Sequence, residues 1–334
     1  MSLRLYWHSL NREHPQLLSE PGGPERIDQR FNLLLGGLCA FAATFLFTVG
    51  GYRAGFEAMH RTGLLLPTPL LDSLSDLGAT LPAICLIALL VKRRPRVVWM
   101  GVLASVYATL VTHFLKVLCN SARPPAVLGD WAAVTGPILR HYSFPSGHTV
   151  TAFLLAACFS VGASPGTRAL LYTVAAAAGL SRIWIGVHWP IDVIAGAGIA
   201  GLSIALAIRT LGIAYRGLVL VPHLVFMPLV AACAFLELKV VPDYSLAHLV
   251  RLAIAAISLV ALARDYVFQP LLLARTGFGS IPVVNPGPHD GVPHARVAAL
   301  ISTTPLPSPP RRHARESFLR RLRLRSRRPR SRSS

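Results

Sequence analysis

The chain has 334 residues, of which 53% are hydrophobic and only 14% charged, with a formal net charge of +19. The apolar residues come in long runs, which weighs against a soluble globular protein and indicates a polytopic membrane protein. The charge is just as uneven. Eleven arginines against the single acid Glu316 fall within residues 311–334, which argues against a folded basic groove, so no nucleic-acid partner is expected.

In chain order, residues 1–30 are polar, without a short apolar core and small-residue cleavage site, and read as a cytoplasmic segment without a cleavable signal. A helix of roughly 20 apolar residues spans the hydrocarbon core. Runs approaching that length fall at 31–51, 74–91, 97–115, 148–163, 169–187, 191–213, 218–236 and 246–263. Asp76 shortens the second, and His248 and Arg251 interrupt the start of the last. Basic residues in short loops stay on the cytoplasmic side, and Lys92, Arg93, Arg94 and Arg96 make the strongest such cluster. That orientation puts the amino terminus, Arg168, Arg209, Arg216 and Arg264 inside, and the segments 53–73, 116–147 and 187–192 outside. Arg53 and Arg61 are mild exceptions.

Cys39, Cys85, Cys158 and Cys233 lie in apolar runs and Cys119 near the end of one, with no metal-like pairing, so they read as small buried hydrophobes. Residues 276–310 are rich in Pro, Gly, Ser and Thr and read as a disordered linker. The arginine-rich tail either contacts anionic lipid headgroups or acts as a solvated topology signal, with RNA a distant third. The expected organisation is an all-α helix bundle. It comprises the segment 1–30, a core over 31–213, about two further transmembrane helices over 214–264, and a disordered basic tail over 265–334.

Three outward-facing segments carry chemistry: "KVLCNSARPP" from Lys116, "SFPSGHT" from Ser143, and "SRIWIGVHWPID" from Ser181. Singly, Lys116, Arg123 and Arg182 read as interfacial anchors, and Ser146 as a helix cap. Together they match the needs of a phosphate ester held next to a nucleophile. Guanidinium groups engage phosphate oxygens in bidentate fashion while lysine acts as a point charge. After Pro145, Ser146 and Gly147 open a helix whose free amides form an anion site, and Gly147 permits close backbone approach. His188 lies four residues before Asp192, with Pro190 starting a helix between them. Asp192 in that first turn can reach back to one ring nitrogen and leave the other free to attack phosphorus. His148, on another helix of the same side, can protonate the leaving alcohol and then activate water.

These segments, Lys116-x6-Arg123-Pro124, Pro145-Ser146-Gly147-His148 and Ser181-Arg182-x5-His188-x3-Asp192, resemble the complete tripartite signature of the type 2 phosphatidic acid phosphatase superfamily. The resemblance covers roughly residues 31–213. It implies a six-helix core in a bacterial inner membrane, and a lipid phosphatase working without metal or other cofactor at the outer face. It further implies His188 as the nucleophile that becomes phosphohistidine, Asp192 as its orienting partner and His148 as the acid for the leaving group. Lys116, Arg123, Ser146, Gly147 and Arg182 correspond to the phosphate cradle. Undecaprenyl diphosphate, phosphatidylglycerol phosphate, phosphatidic acid and lipid A phosphates all present the same terminal phosphate. Selectivity then falls to the apolar walls and to 53–73, a segment that reads either as a plain connector or as an amphipathic substrate-side flap. A vanadate-dependent haloperoxidase shares the cradle but is soluble. A phosphotransferase needs the same histidine, and a transporter or scaffold binding the headgroup needs only the cations.

Overall fold

The structure is a computed structural model that describes residues 24–134, 138–214, 225–239, 245–269 and 272. The described residues are helical and contain no strand. Prolines open most of the long helices, because a fixed φ and a missing N–H cost nothing in a first turn. Thus α1 runs Pro24–Gly50, α5 Pro95–Cys119, α8 Pro165–Trp184 and α9 Pro190–Ala214. Three short helices, α2 (Phe56–Gly63), α3 (Thr68–Asp76) and α6 (Pro124–Leu128), fill the loops at one end. The set is completed by α4 (Thr80–Val91), α7 (Gly147–Ser160), α10 (Met227–Glu237) and α11 (Ser245–Ala263). Among the described residues up to 214, six helices are longer than ten residues: α1, α4, α5, α7, α8 and α9.

At the centre stands α9. Of its most apolar stretch 78% is buried, against 11% for α1 and 17% for α5. Its small residues let neighbouring backbones come close, the usual way helices associate where lipid removes the hydrophobic drive between them. A Cβ on Gly201 would lie 2.8 Å from the Asn32 carbonyl of α1, and one on Gly196 2.7 Å from the Ser146 carbonyl at the cap of α7. Outward, α1 presents Leu34, Leu38, Phe41 and Phe45, the apolar surface that lipid requires.

Polar contacts gather at the two ends. At one, buried Asp28 pairs with Arg168, Tyr172 Oη donates to Asn32 Oδ1 at 2.8 Å, and Arg94 Nη1 donates to the Val161 carbonyl at 2.6 Å. The basic residues 92–94 therefore share an end with Arg168, as the orientation argument requires. The three signature segments converge at the other end.

Among the described residues, three helices suffice by length and apolarity to cross a membrane, at 28–50, 96–132 and 190–211, and α3 with α4, bent by 59°, makes a fourth if the pair counts as one span. That is fewer than the eight runs read from sequence. The 14-residue α7 and 11-residue α10 are shorter apolar helices, and the run at 218–236 is described only from residue 225. The segment 53–73 is no plain connector. Its residues form α2 and α3, which bury Phe56, His60 and Leu71 and pack on α8. Helical backbone also continues past 264 through Phe268, held by Lys92 Nζ, which donates to the Asp265 carbonyl at 3.2 Å and to Gln269 Oε1 at 2.7 Å. The linker at 276–310 and the basic tail lie outside the described residues. Cys85, Cys158 and Cys233 are buried, but Cys119 is exposed.

The hairpin of α10 and α11 is joined to the core by charge. Arg251 grips Asp76 through Nε and Nη2 at 2.8 and 2.9 Å, with Glu237 3.8 Å from its Nη1. Arg251→Ala leaves two buried carboxylates without this cation, which should cost about 3 kcal/mol. The measurement is the melting temperature in detergent, and Asp76→Asn added to Arg251→Ala should recover part of the loss. An unchanged melting temperature would show that the pair does not hold the hairpin.

Candidate active site

Each signature residue sits at a helix end, where backbone groups are free and the chain can turn toward a common point. Lys116 lies in the last turn of α5, which stops at Asn120 in the left-handed conformation. Its Nζ donates to the Tyr142 carbonyl at 2.6 Å. Arg123 caps α6 and is buried, with Nε donating to the His141 carbonyl at 3.0 Å and Nη1 to the Val187 carbonyl at 3.3 Å. Arg182, in the last turn of α8, donates to Ser75 Oγ of α3, and its carbonyl accepts from the Val187 and His188 amides at 3.1 Å. Three cations thus arrive on three separate elements.

Ser146 is the cap of α7. Its Oγ accepts from the Thr149 amide at 3.4 Å and from Thr149 Oγ1 at 2.9 Å, and its own amide donates to the Asp192 carbonyl at 3.0 Å. Nothing lies within 4 Å of where a Cβ on Gly147 would stand, so the helix start faces open space, as an anion cradle needs. His148 is backed by Gly78, where a Cβ would come within 2.6 Å of the His148 carbonyl. Gly186, with φ at +77°, makes the turn into His188, and a Cβ there would overlap the Ala132 carbonyl, so only glycine fits.

The tightest geometry surrounds Asp192, which is 0% exposed. Its Oδ2 accepts from Ser143 Oγ at 2.5 Å and the Trp189 amide at 2.9 Å, and lies 3.1 Å from His188 Nδ1, while Oδ1 accepts from Tyr52 Oη at 2.6 Å. A carboxylate beside Nδ1 accepts a hydrogen bond from the ring proton held there and leaves the lone pair on Nε2. Arg123 Nη1 stands 3.3 Å from that Nε2, so a cation waits beside the atom that would attack. Burial, the largest cause, pushes the His188 pKa down to about 3 against the upward pull of Asp192. The imidazole is therefore neutral at all pH values well above that figure, as a nucleophile must be. Burial likewise raises the Tyr52 phenol, helped by the Asp192 charge, so Tyr52 remains a donor.

Below the cradle an apolar cleft of about 710 Å³ runs between α4, α5 and α7. It begins at Lys116, Gly147 and His148 and reaches Val98 and Phe226. Its rim residues Val106 and Leu110 are 50% and 64% exposed, so it opens sideways, toward lipid. That volume is in the range of drug-sized ligands.

Lys116, Arg123, Ser146, Gly147, His148, Arg182, His188 and Asp192 are all brought to one end of the bundle. Sequence reasoning missed Tyr52, Ser75 and the role of Ser143. Ser143 stood inside a signature segment, but Tyr52 and Ser75 contact their partners across more than a hundred residues and no spacing announces them.

Residues 79–216 match the model of the PAP2 superfamily. That stretch of the chain belongs to the superfamily. Among curated relatives, a bacitracin transport permease protein, BcrC, of Bacillus licheniformis is 34% identical over 115 residues, 34% of this chain and 54% of that protein. A lipid A 1-phosphatase of Porphyromonas gingivalis is 45% identical over 60 residues, 17% of this chain and 14% of that one. The chain thus spans about half of the first relative and a small part of the second. A crystal structure of Aquifex aeolicus LpxE aligns at 31% identity and a TM-score of 0.41, covering 46% of this chain and 92% of that one. The superfamily match contains the signature residues from Lys116 to Asp192 but not Tyr52 or Ser75, which the turn after α1 and helix α3 bring in from outside it.

Tyr52 is thereby a positioning residue for Asp192. Tyr52→Phe should lower kcat about tenfold, the rate equivalent of one buried hydrogen bond, with KM unchanged. A purely structural role would lower the amount of folded protein and leave kcat intact.

Proposed function

We propose that the chain is a membrane lipid phosphatase that removes a terminal phosphate from a lipid monoester or diphosphate through a phosphohistidine on His188. The observation that carries this reading is the His188–Asp192 pair with Arg123 beside Nε2, since a headgroup binder needs the cations but not an oriented imidazole.

In the proposed reaction His188 Nε2 attacks phosphorus while the bond to the lipid oxygen breaks. The leaving oxygen takes its proton from His148, and the Nδ1 proton stays shared with Asp192, which steadies the cationic ring. Lys116, Arg123, Arg182 and the free amides at Ser146 and Gly147 hold the three phosphoryl oxygens as charge builds on them. His148 then takes a proton from water, the water oxygen bonds to phosphorus, the bond to Nε2 breaks, and inorganic phosphate leaves. Fixed cations do what divalent ions do in other phosphatases, so the reaction runs without metal.

The sideways-opening cleft supports a lipid substrate, with the tail lying along α5 and the phosphate at the membrane edge. The Porphyromonas gingivalis relative is named for a lipid A phosphate, and phosphatidic acid, phosphatidylglycerol phosphate and undecaprenyl diphosphate offer the same group. The Bacillus licheniformis relative is named a transport permease, which keeps a binding or transport role as the second reading, alongside phosphoryl transfer to another lipid alcohol. With the basic residues 92–94 on the cytoplasmic side, the site faces the periplasm of a bacterial inner membrane.

Purified protein assayed against these four lipids in a strong chelator should release inorganic phosphate from at least one. Asp192→Asn should retain a rate lower by about four orders of magnitude. Turnover lost in chelator and restored by magnesium would overturn the metal-free mechanism. Binding without phosphate release would favour the transport reading, and label passing to an added lipid alcohol the transferase.

A further inference from the structure

The apolar cleft is walled near the cradle by α4, α5 and α7, all within the stretch matched by the superfamily model. Its far end is different. There Phe226, Leu229 and Val230 close it, and they belong to the start of α10, beyond residue 216 where the match ends.

This end wall is built into the fold. The Phe226 ring meets Trp99 edge-on at 5.3 Å between centroids. Val230 is buried against Ala88 and Leu262. The hairpin behind it is held by the Arg251–Asp76 pair on the site side and by Lys92 on Asp265 and Gln269 at the other end. Leu229 is 47% exposed, and its side chain is the part of the wall free to change size without disturbing the core.

Along α5 the cleft follows the helix from Lys116 to Val98, which at the helical rise is about 27 Å. That is close to the roughly 30 Å depth of a hydrocarbon core. A tail whose phosphate rests on Lys116 and His148 therefore meets Phe226, Leu229 and Val230 only if it is long. Short tails end before them.

We infer that α10 sets the longest hydrocarbon tail this protein accepts, with Phe226, Leu229 and Val230 as its specificity-determining end wall. The inference rests on the lipid-phosphatase reading above. The occupant is the tail of the phosphorylated lipid because the cleft is continuous with the phosphate cradle and open to lipid along Val106 and Leu110.

The test uses the full chain in detergent and a series of linear alkyl phosphates, from octyl through dodecyl and hexadecyl to eicosyl. These keep the leaving group constant and vary only the tail. Leu229→Trp, which thickens the wall, should lower kcat/KM for the longest members about tenfold and leave octyl phosphate unchanged. Phe226→Ala, which thins it, should shift the preference toward longer tails, and it decides the matter alone if the tryptophan variant does not fold. A variant profile parallel to that of the wild type, lowered evenly or not at all, overturns the end wall while the phosphatase reading stands. Absence of phosphate release from every member by the wild type overturns both.

Discussion

Everything at the active end of this molecule depends on one buried carboxylate. Asp192 has no contact with solvent and would be costly to bury as an ion without compensation. Its two oxygens instead lie within hydrogen-bonding reach of Tyr52, Ser143, the Trp189 amide and His188, while its own carbonyl accepts from the Ser146 amide. One side chain and its backbone thus tie the turn after α1, the loop before α7, the cap of α7 and the first turn of α9. The need to satisfy that charge forces those four segments together, and the convergence makes both the histidine and the anion cradle.

The cations obey the same economy of placement. Arg123, Arg182 and Lys116 each spend donors on carbonyls or hydroxyls of neighbouring segments, which fixes their heads at this end of the bundle. Charges gathered on one side of an apolar bundle repel one another, so they persist there only where local acceptors hold them.

How much of this was legible depended on distance along the chain. The pair His188 and Asp192, the cap at Ser146 and the proline that opens α9 are local patterns, and helix geometry alone places them. The convergence of Lys116, Arg123 and Arg182 was legible as a chemical set with one common need. Tyr52 on Asp192, Ser75 on Arg182 and Arg251 on Asp76 were not, because each joins residues far apart in sequence with no period to betray them. Apolar runs marked where helices occur, although among the described residues three helices suffice by length and apolarity to cross a membrane. Asp76 and Ser75 break a run because each is held by a distant arginine, and the segment 53–73 forms two helices that pack on α8.

Phosphoryl transfer through His188 is the claim on which the account stands, and one measurement reaches it directly. Labelled lipid phosphate mixed with the protein and quenched in alkali preserves a phosphorus–nitrogen bond that acid destroys. The account predicts alkali-stable, acid-labile label on the wild type and none on His188→Ala. It further predicts that His148→Ala accumulates label from a substrate with a good leaving group such as a nitrophenol, since attack proceeds but water is not activated. Label retained on His188→Ala, or found on Ser146, would contradict it.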